Sequence, residues 1–208
     1  MNLIFDLDGT IIDSKPRLHA LFQHLAPRPG LDYSRYWVLK QAKVSNTAIL
    51  TNLFGYGEGQ IQSFVFSWMS LIESPEFLAM DQCVPGVQHT LRHLEANAVL
   101  YACTDRQHEH AAMEQLERLG ILHHFRGVLV TGQKIPKETL IRQRISGLTR
   151  DDWMIGDTGR DILTGRALGI RTCAVLSGFQ SKSVLMGYEP DLILDSAADF
   201  VAFHHSVP

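Results

Sequence analysis

Asp6 and Asp8, separated by one leucine in Ile4-Phe5-Asp6-Leu7-Asp8-Gly9-Thr10, have the types and spacing in this chain that most directly suggest chemistry. Alternation along an extended strand sends residues i and i+2 to the same side, so both carboxylates can face one pocket. Gly9 lets the backbone turn sharply beside them. Like charges this close raise one another's pKa unless a cation sits between them, so the segment calls for a metal, a shared proton, or both. An apolar strand ending in an ordinary Asp-Gly turn would leave the same residues, and the rest of the chain must decide between the two readings.

The elements that would position these groups are short runs rich in Ile, Val and Leu: Leu3 to Phe5, Val99 to Cys103, Val128 to Val130, Trp153 to Ile155, Thr172 to Leu176 and Leu192 to Leu194. Between them, Val87/Leu91/Leu94, Ala112/Leu116/Leu119 and Ile141/Ile145/Leu148 each fall at i, i+4, i+7, the spacing of an amphipathic helix. Strands alternating with helices predict an α/β fold, a doubly wound parallel sheet of Rossmann type that binds ligands beyond the carboxyl ends of its strands. Asp6-Leu7-Asp8, Thr104-Asp105-Arg106 and Gly156-Asp157 all directly follow strand-like runs, so three strand ends converge on one site.

Residues 15 to 80 break the rhythm and read as helices only, with stripes at Leu18/Leu21/Phe22/Leu25, Ile49/Leu50/Leu53/Phe54 and Ile61/Phe64/Val65/Trp68/Met69/Ile72. The expected division is a Rossmann-like core of residues 1–14 and 81–208 carrying an inserted α-helical cap domain of residues 15–80. Linkers near Asp13-Ser14-Lys15-Pro16 and Val84-Pro85-Gly86 would join the two.

Composition narrows the function. With 208 residues, 45% hydrophobic and 20% charged, the chain can bury one good core and a small subdomain. A net charge of −3 with dispersed charges gives no basic field for nucleic acid, which is not an expected partner. No apolar run approaches the roughly 20 residues that span a bilayer, and Met1 to Phe5 is too short for a signal peptide. The expectation is no membrane partner and a cytoplasmic protein. Cys83, Cys103 and Cys173 lack paired spacing and read as buried thiols. The pairs His123-His124 and His204-His205 read as solvated or edge-packed, because adjacent residues on a helix point about 100° apart and rarely chelate together.

The segment Asp6-Leu7-Asp8-Gly9-Thr10 followed by Ile11-Ile12-Asp13-Ser14 resembles the first motif of the haloacid dehalogenase superfamily, in particular its phosphoglycolate phosphatase-like branch with a helical cap. Three further segments resemble the remaining motifs in order. Thr104 ends a strand and, by resemblance, holds an oxygen of a transferring phosphoryl group, with Asp105 beside it. A lysine follows: Lys137 in Ile135-Pro136-Lys137-Glu138 or its neighbour Lys134, of which Lys137 is preferred because Ile141 and Ile145 continue its helix. Met154-Ile155-Gly156-Asp157-Thr158-Gly159-Arg160-Asp161 resembles the acidic motif. A helix cap alone would explain Asp157 or Thr158, but would not require Asp161 as well.

The resemblance implies a Mg²⁺-dependent phosphomonoester hydrolase acting on a small phosphorylated metabolite. Hard oxygen ligands suit that ion. The implied metal set is the Asp6 carboxylate, the Asp8 backbone carbonyl and the Asp157 carboxylate, with Asp161 and Gly9 in support. Asp6 would be the nucleophile and Asp8 the proton carrier, while Thr104 and Lys137 balance charge on the phosphoryl oxygens. Dehalogenases lack the second carboxylate, so Asp8 argues against dehalogenation. A sugar-phosphate mutase on the same core stays open, since Leu39 to Asn46 faintly resembles a mutase cap segment, and so does a catalytically silent binding protein of this fold. Recognition of the leaving group falls to the cap, with Lys15, Arg17, Arg35, Lys40, Lys43 and Asn46 as candidates. The substrate and the oligomeric state are not set by the sequence.

Overall fold

A computed structural model describes residues 1–27 and 31–201 of the chain. The pair His204-His205 lies outside the described residues. Six strands form one parallel sheet: β1 (Asn2–Phe5), β4 (Val99–Thr104), β5 (Gly127–Val130), β6 (Trp153–Gly156), β7 (Arg171–Val175) and β8 (Leu192–Leu194). Their spatial order is β5-β4-β1-β6-β7-β8, so the chain winds outward from β1 in one direction and then returns to wind outward in the other. The reversal falls between β1 and β6, the place where open sheets of this kind open a crevice.

The sheet is buried on both faces, which is why its strands are continuous apolar runs. Leu3 and Phe5 of β1 join one core cluster while Ile4 joins the other, as alternation requires. All three are fully buried, each contributing about 1.5–3 kcal/mol by leaving water. Helices α6 (Val87–Leu94), α7 (Glu109–Arg118), α8 (Lys137–Arg144) and α9 (Gly159–Leu168) flank the sheet. The stripe of α6, Val87/Leu91/Leu94, packs into the first cluster as its spacing predicts.

The predicted continuation of α8 to Leu148 is overturned. The helix ends at Arg144, Ile145 turns extended with φ −122° and ψ 111°, and Gly147 adopts φ +68°. Ser-Gly after a β-branched residue favours a break, and Ile145 still reaches the second cluster from its extended position. Likewise Leu119 follows α7 as its cap residue rather than continuing it.

Five helices lie between β2 (Ile12–Asp13) and β3 (Gln82–Cys83): α1 (Lys15–Leu25), α2 (Tyr33–Gln41), α3 (Asn46–Phe54), α4 (Glu58–Leu71) and α5 (Pro75–Leu78). They bury a separate cluster around Phe22, Tyr36, Trp37, Ile49, Leu50 and Phe64. Leu53 and Val65, expected in the apolar stripes, sit at their edges and are 48% and 41% exposed. Strands β2 and β3 pair antiparallel, Ile12 with Cys83 and Asp13 with Gln82, so the two chain crossings into and out of the helical insertion are tied together. A last short helix, α10 (Lys182–Met186), precedes β8.

Cys103 and Cys173 are buried free thiols and Cys83 is half-buried; burial pushes Cys103 up to about 12. His124 is packed against Glu95, its Nδ1 2.7 Å from Oε2. No described helix is long and apolar enough to cross a membrane.

Candidate active site

A cavity of ≈240 Å³ opens at the carboxyl ends of β1, β4 and β6, lined among others by Asp6, Asp8, Thr104, Asp105, Lys137, Asp157 and Asp161. Asp6 directly follows β1, and its N–H still donates to Ile155 O of β6 at 2.9 Å, which fixes its carboxylate at the switch point. The chain then turns: the N–H groups of Thr10, Ile11 and Ile12 all donate to Leu7 O, and Gly9 adopts φ +86°. A Cβ at Gly9 would lie 2.5 Å from Asp157 Oδ2, so only glycine lets the two motifs approach this closely.

Around Asp6 three carboxylates face one ammonium. Lys137 Nζ donates to Asp6 Oδ1 at 2.6 Å and to Asp161 Oδ1 at 2.7 Å, and the lysine is only 3% exposed. Lys134 is exposed and stays outside the cavity. Asp157 is fully buried and accepts from Phe179 N–H at 2.7 Å. One carboxylate oxygen from each of Asp6, Asp157 and Asp161 lies within 4.8 Å of the other two, the only such cluster of metal-ligating side chains among the described residues. Burial pushes Asp6 up to about 7, with Lys137 opposing and Asp161 and Asp8 adding to the rise. Asp157 is driven well above the ordinary carboxylate range by burial and then by Asp6 and Asp161. The set is short of positive charge.

Asp161 has a second duty, in the cap of α9. Thr158 is the N-cap of α9, and Asp161 Oδ2 accepts both its N–H at 3.1 Å and its hydroxyl at 2.6 Å. Capping therefore does use Asp161, and Lys137 holds the other carboxylate oxygen.

The surroundings of Asp8, which lines the same cavity, are built differently. Arg106, immediately after Thr104-Asp105, grips Asp8 with both Nε and Nη2 at 2.8 Å, and Arg17 Nη2 from α1 adds a third contact at 2.5 Å. Behind them Asp81, fully buried, accepts from Arg17 Nε at 3.1 Å and from Gln115 Nε2 at 2.8 Å. Gln115 also accepts from Arg106 Nη1. Although burial opposes it, the pull of Arg106 and then Arg17 holds the Asp8 carboxyl well below the usual carboxylate range. Burial raises Asp81 to about 6 despite Arg17.

Thr104 ends β4 buried in the cavity lining. Asp105 is half-buried, its carboxylate accepting from the Thr131 hydroxyl at 3.0 Å and lying 3.5 Å from Arg160 Nε. Of the helical candidates, Arg17 lines this cavity; Lys40, Lys43 and Asn46 line a neighbouring one; Lys15 and Arg35 line neither. Sequence reasoning missed Arg106 as a partner of Asp8, and with it Asp81 and Gln115. A signal existed for Gln115, which interrupts the apolar stripe of α7 between Ala112 and Leu116 with a buried amide.

The sequence pattern of the haloacid dehalogenase-like hydrolases matches residues 3–175, most of the chain and every residue of the acidic cluster. The chain belongs to the haloacid dehalogenase-like hydrolase family. Among hydrolases with curated names, it is 25% identical to phosphoglycolate phosphatase 1 of Pseudomonas aeruginosa, over 96% of this chain and 78% of the relative. It is also 25% identical to pyrophosphatase PpaX of Oceanobacillus iheyensis, over 96% and 94%. In three dimensions it superposes on a haloacid dehalogenase-like hydrolase of Streptococcus pneumoniae with a TM-score of 0.79 at 24% identity, over 98% of this chain and 97% of the other. That likeness shows the shared haloacid dehalogenase-like fold.

Proposed function

We propose that this enzyme is a Mg²⁺-dependent phosphatase that hydrolyses a small phosphomonoester through a phosphorylated Asp6, with residues 1–14 and 81–208 as catalytic core and residues 15–80 as a cap. One observation carries the reading: Asp6, Asp157 and Asp161 oppose Lys137 alone, a deficit of two positive charges in a buried, oxygen-only site. A divalent, oxygen-preferring cation fits that deficit and that donor set. The Asp6 and Asp157 carboxylates with the Asp8 carbonyl would hold Mg²⁺, which when bound neutralises charge on the transferring phosphoryl group. The phosphatase names among the relatives point the same way.

In the first step a carboxylate oxygen of Asp6 forms a bond to phosphorus as the ester P–O bond breaks, and Asp8 passes a proton to the departing alcohol oxygen. In the second, a water oxygen attacks phosphorus, its proton goes to Asp8, and phosphate leaves with Asp6 regenerated. Lys137 and Thr104 balance charge on the phosphoryl oxygens. Gripped by two guanidiniums, the Asp8 carboxylate neither gives nor takes a proton readily. Its proton role needs at least one arginine to disengage. Arg17 sits on α1, beyond the paired linkers β2 and β3, so movement of the cap on those linkers frees Asp8.

Phosphate release from a generic aryl phosphate, before and after exhaustive chelation, tests the proposal. Activity lost with EDTA and restored by Mg²⁺ is expected; activity indifferent to chelation contradicts it.

A further inference from the structure

Beside the catalytic cavity lies a second one of ≈390 Å³, with Leu18, Thr158 and Phe179 as the shared wall. It sits on the seam between the helical insertion and the loop after β7. Trp37 stacks on Phe179 across that seam with ring centres 5.6 Å apart and planes 17° apart, and Ser181 N–H donates to Gln41 O at 3.2 Å. Tyr36 and Trp68 complete an aromatic lining. The volume falls in the range of pockets for small organic ligands, and it exceeds what a two-carbon alcohol needs.

The charges in this lining are all of one sign. Lys40 and Lys43 border the cavity and no carboxylate does. Neither lysine has a carboxylate partner within 4.0 Å among the described residues: Lys40 Nζ donates to Val44 O at 3.1 Å, and Lys43 Nζ to Tyr188 Oη at 2.5 Å. In the catalytic cavity, by contrast, Arg17, Arg106 and Lys137 are all paired with carboxylates. Burial lowers Lys40 to about 8, the expected effect on an ammonium with no anion beside it. Lys43 also holds φ +64° just after α2, a helix-end position where glycine would sit without strain. A lysine kept in that conformation is a reason to look for a use for its side chain.

We propose that this second cavity receives the leaving group of the substrate, and that the group is a flat ring bearing an anionic substituent, with Trp37, Trp68 and Phe179 against the ring and Lys40 and Lys43 toward the charge. The assignment rests on the phosphatase reading. The shared wall of Leu18, Thr158 and Phe179 sets this cavity directly beside the catalytic one, and Phe179 is also the residue whose N–H holds Asp157.

Two of the three tryptophans line this cavity, so intrinsic fluorescence reports its occupancy without turnover. Three phosphate-free probes separate the terms: 4-(2-hydroxyethyl)benzoate carries ring and charge, 2-phenylethanol the ring alone, and 4-hydroxybutanoate the charge alone. The whole protein with Mg²⁺ should bind the first about tenfold more tightly than either of the others, the scale of one charge-assisted contact. Lys43→Gln should erase about tenfold of that preference and Lys43→Arg should restore it. Among substrates, 4-(2-phosphooxyethyl)benzoate should exceed ethyl phosphate in kcat/KM, with the ratio falling in Lys43→Gln. Equal binding of the three probes overturns the proposal, as does selective binding without any preference among the phosphorylated pair. Selective binding in a protein that hydrolyses neither phosphate leaves the cavity's ligand class standing and removes the phosphatase reading instead.

Discussion

Two residues apart in sequence, Asp6 and Asp8 line one cavity and are held in opposite electrostatic conditions. Around Asp6 three carboxylates share one ammonium, and burial raises its pKa to about 7. Around Asp8 two carboxylates meet two guanidiniums, and its carboxyl is held far down. One group is therefore balanced within the protein and the other is not. Under the proposed function, carboxylates that are to receive a cation are left unsatisfied by the fold, whereas the one that is to carry a proton is paired with side chains of the protein that can let it go.

The largest expected effect comes from exchanging the two aspartates in turn. Asp6→Asn removes the oxygen proposed to accept the phosphoryl group, and turnover should vanish on every substrate. Asp8→Asn should cost about a hundredfold to ten-thousandfold on alkyl phosphates and much less on acyl phosphates, whose leaving groups need no proton. Steady-state rates on both classes decide it; equal losses for Asp8→Asn would show that its difference from Asp6 is not one of proton transfer.

Next is the stability each group draws from its cations. Lys137→Met leaves three buried carboxylates with no counter-charge and should cost about 3–5 kcal/mol at pH 8 without Mg²⁺. Most of this should return at pH 5, where the carboxylates raised by burial are protonated. Arg106→Gln leaves Asp8 and Asp81 still paired with Arg17 and should cost less, about 1–3 kcal/mol. Urea unfolding at the two pH values measures both. A Lys137→Met loss that does not shrink at pH 5 would mean the acidic cluster is not charge-deficient.

The wild-type protein carries the same signature in a milder form. Asp6 binds its proton more tightly folded than unfolded, since its pKa rises from 3.8 to about 7. The folded state thus holds more protons between those values, and its contribution to stability is full below pH 3.8 and is lost as pH rises through 7. Asp8 runs the other way, its contribution present above pH 3.8 and lost in acid. Metal-free protein should therefore lose stability from pH 5 to pH 8, and thermal unfolding should show added Mg²⁺ raising Tm more at pH 8 than at pH 5.

The asymmetry between the two groups also separates what the sequence disclosed from what it did not. Asp6, Thr104 and Asp157 terminate uninterrupted apolar runs, so strand ends and acidic positions can be read together. Lys137 is readable because an apolar stripe follows it, of which Ile141 lies within its helix and Ile145 just past the helix end. The pairing of Asp8 with Arg106 spans 98 residues and joins two loops, and nothing periodic announces such a contact. Helix α2 shows no apolar stripe because its buried residues, Tyr36 and Trp37, are adjacent rather than spaced by a turn, so the aromatic wall of the second cavity is hidden in the sequence while its polar residues Lys40, Lys43 and Asn46 are not. The double duty of Asp161 is not visible in sequence, because one carboxylate has two oxygens: one caps α9 and the other meets Lys137.

Isothermal titration of the metal-free protein with Mg²⁺, repeated at pH 6 and pH 8 in buffers of different ionisation enthalpy, addresses the charge deficit most directly. Near pH 6 Asp6, raised to about 7, holds a proton that the ion must displace, so binding to one site should be weaker there and accompanied by more proton release than at pH 8. Asp157→Asn should lose the site, and Arg106→Gln should keep it. Saturable binding with the same affinity and no proton release at both pH values, or binding that survives Asp157→Asn unchanged, would contradict the account.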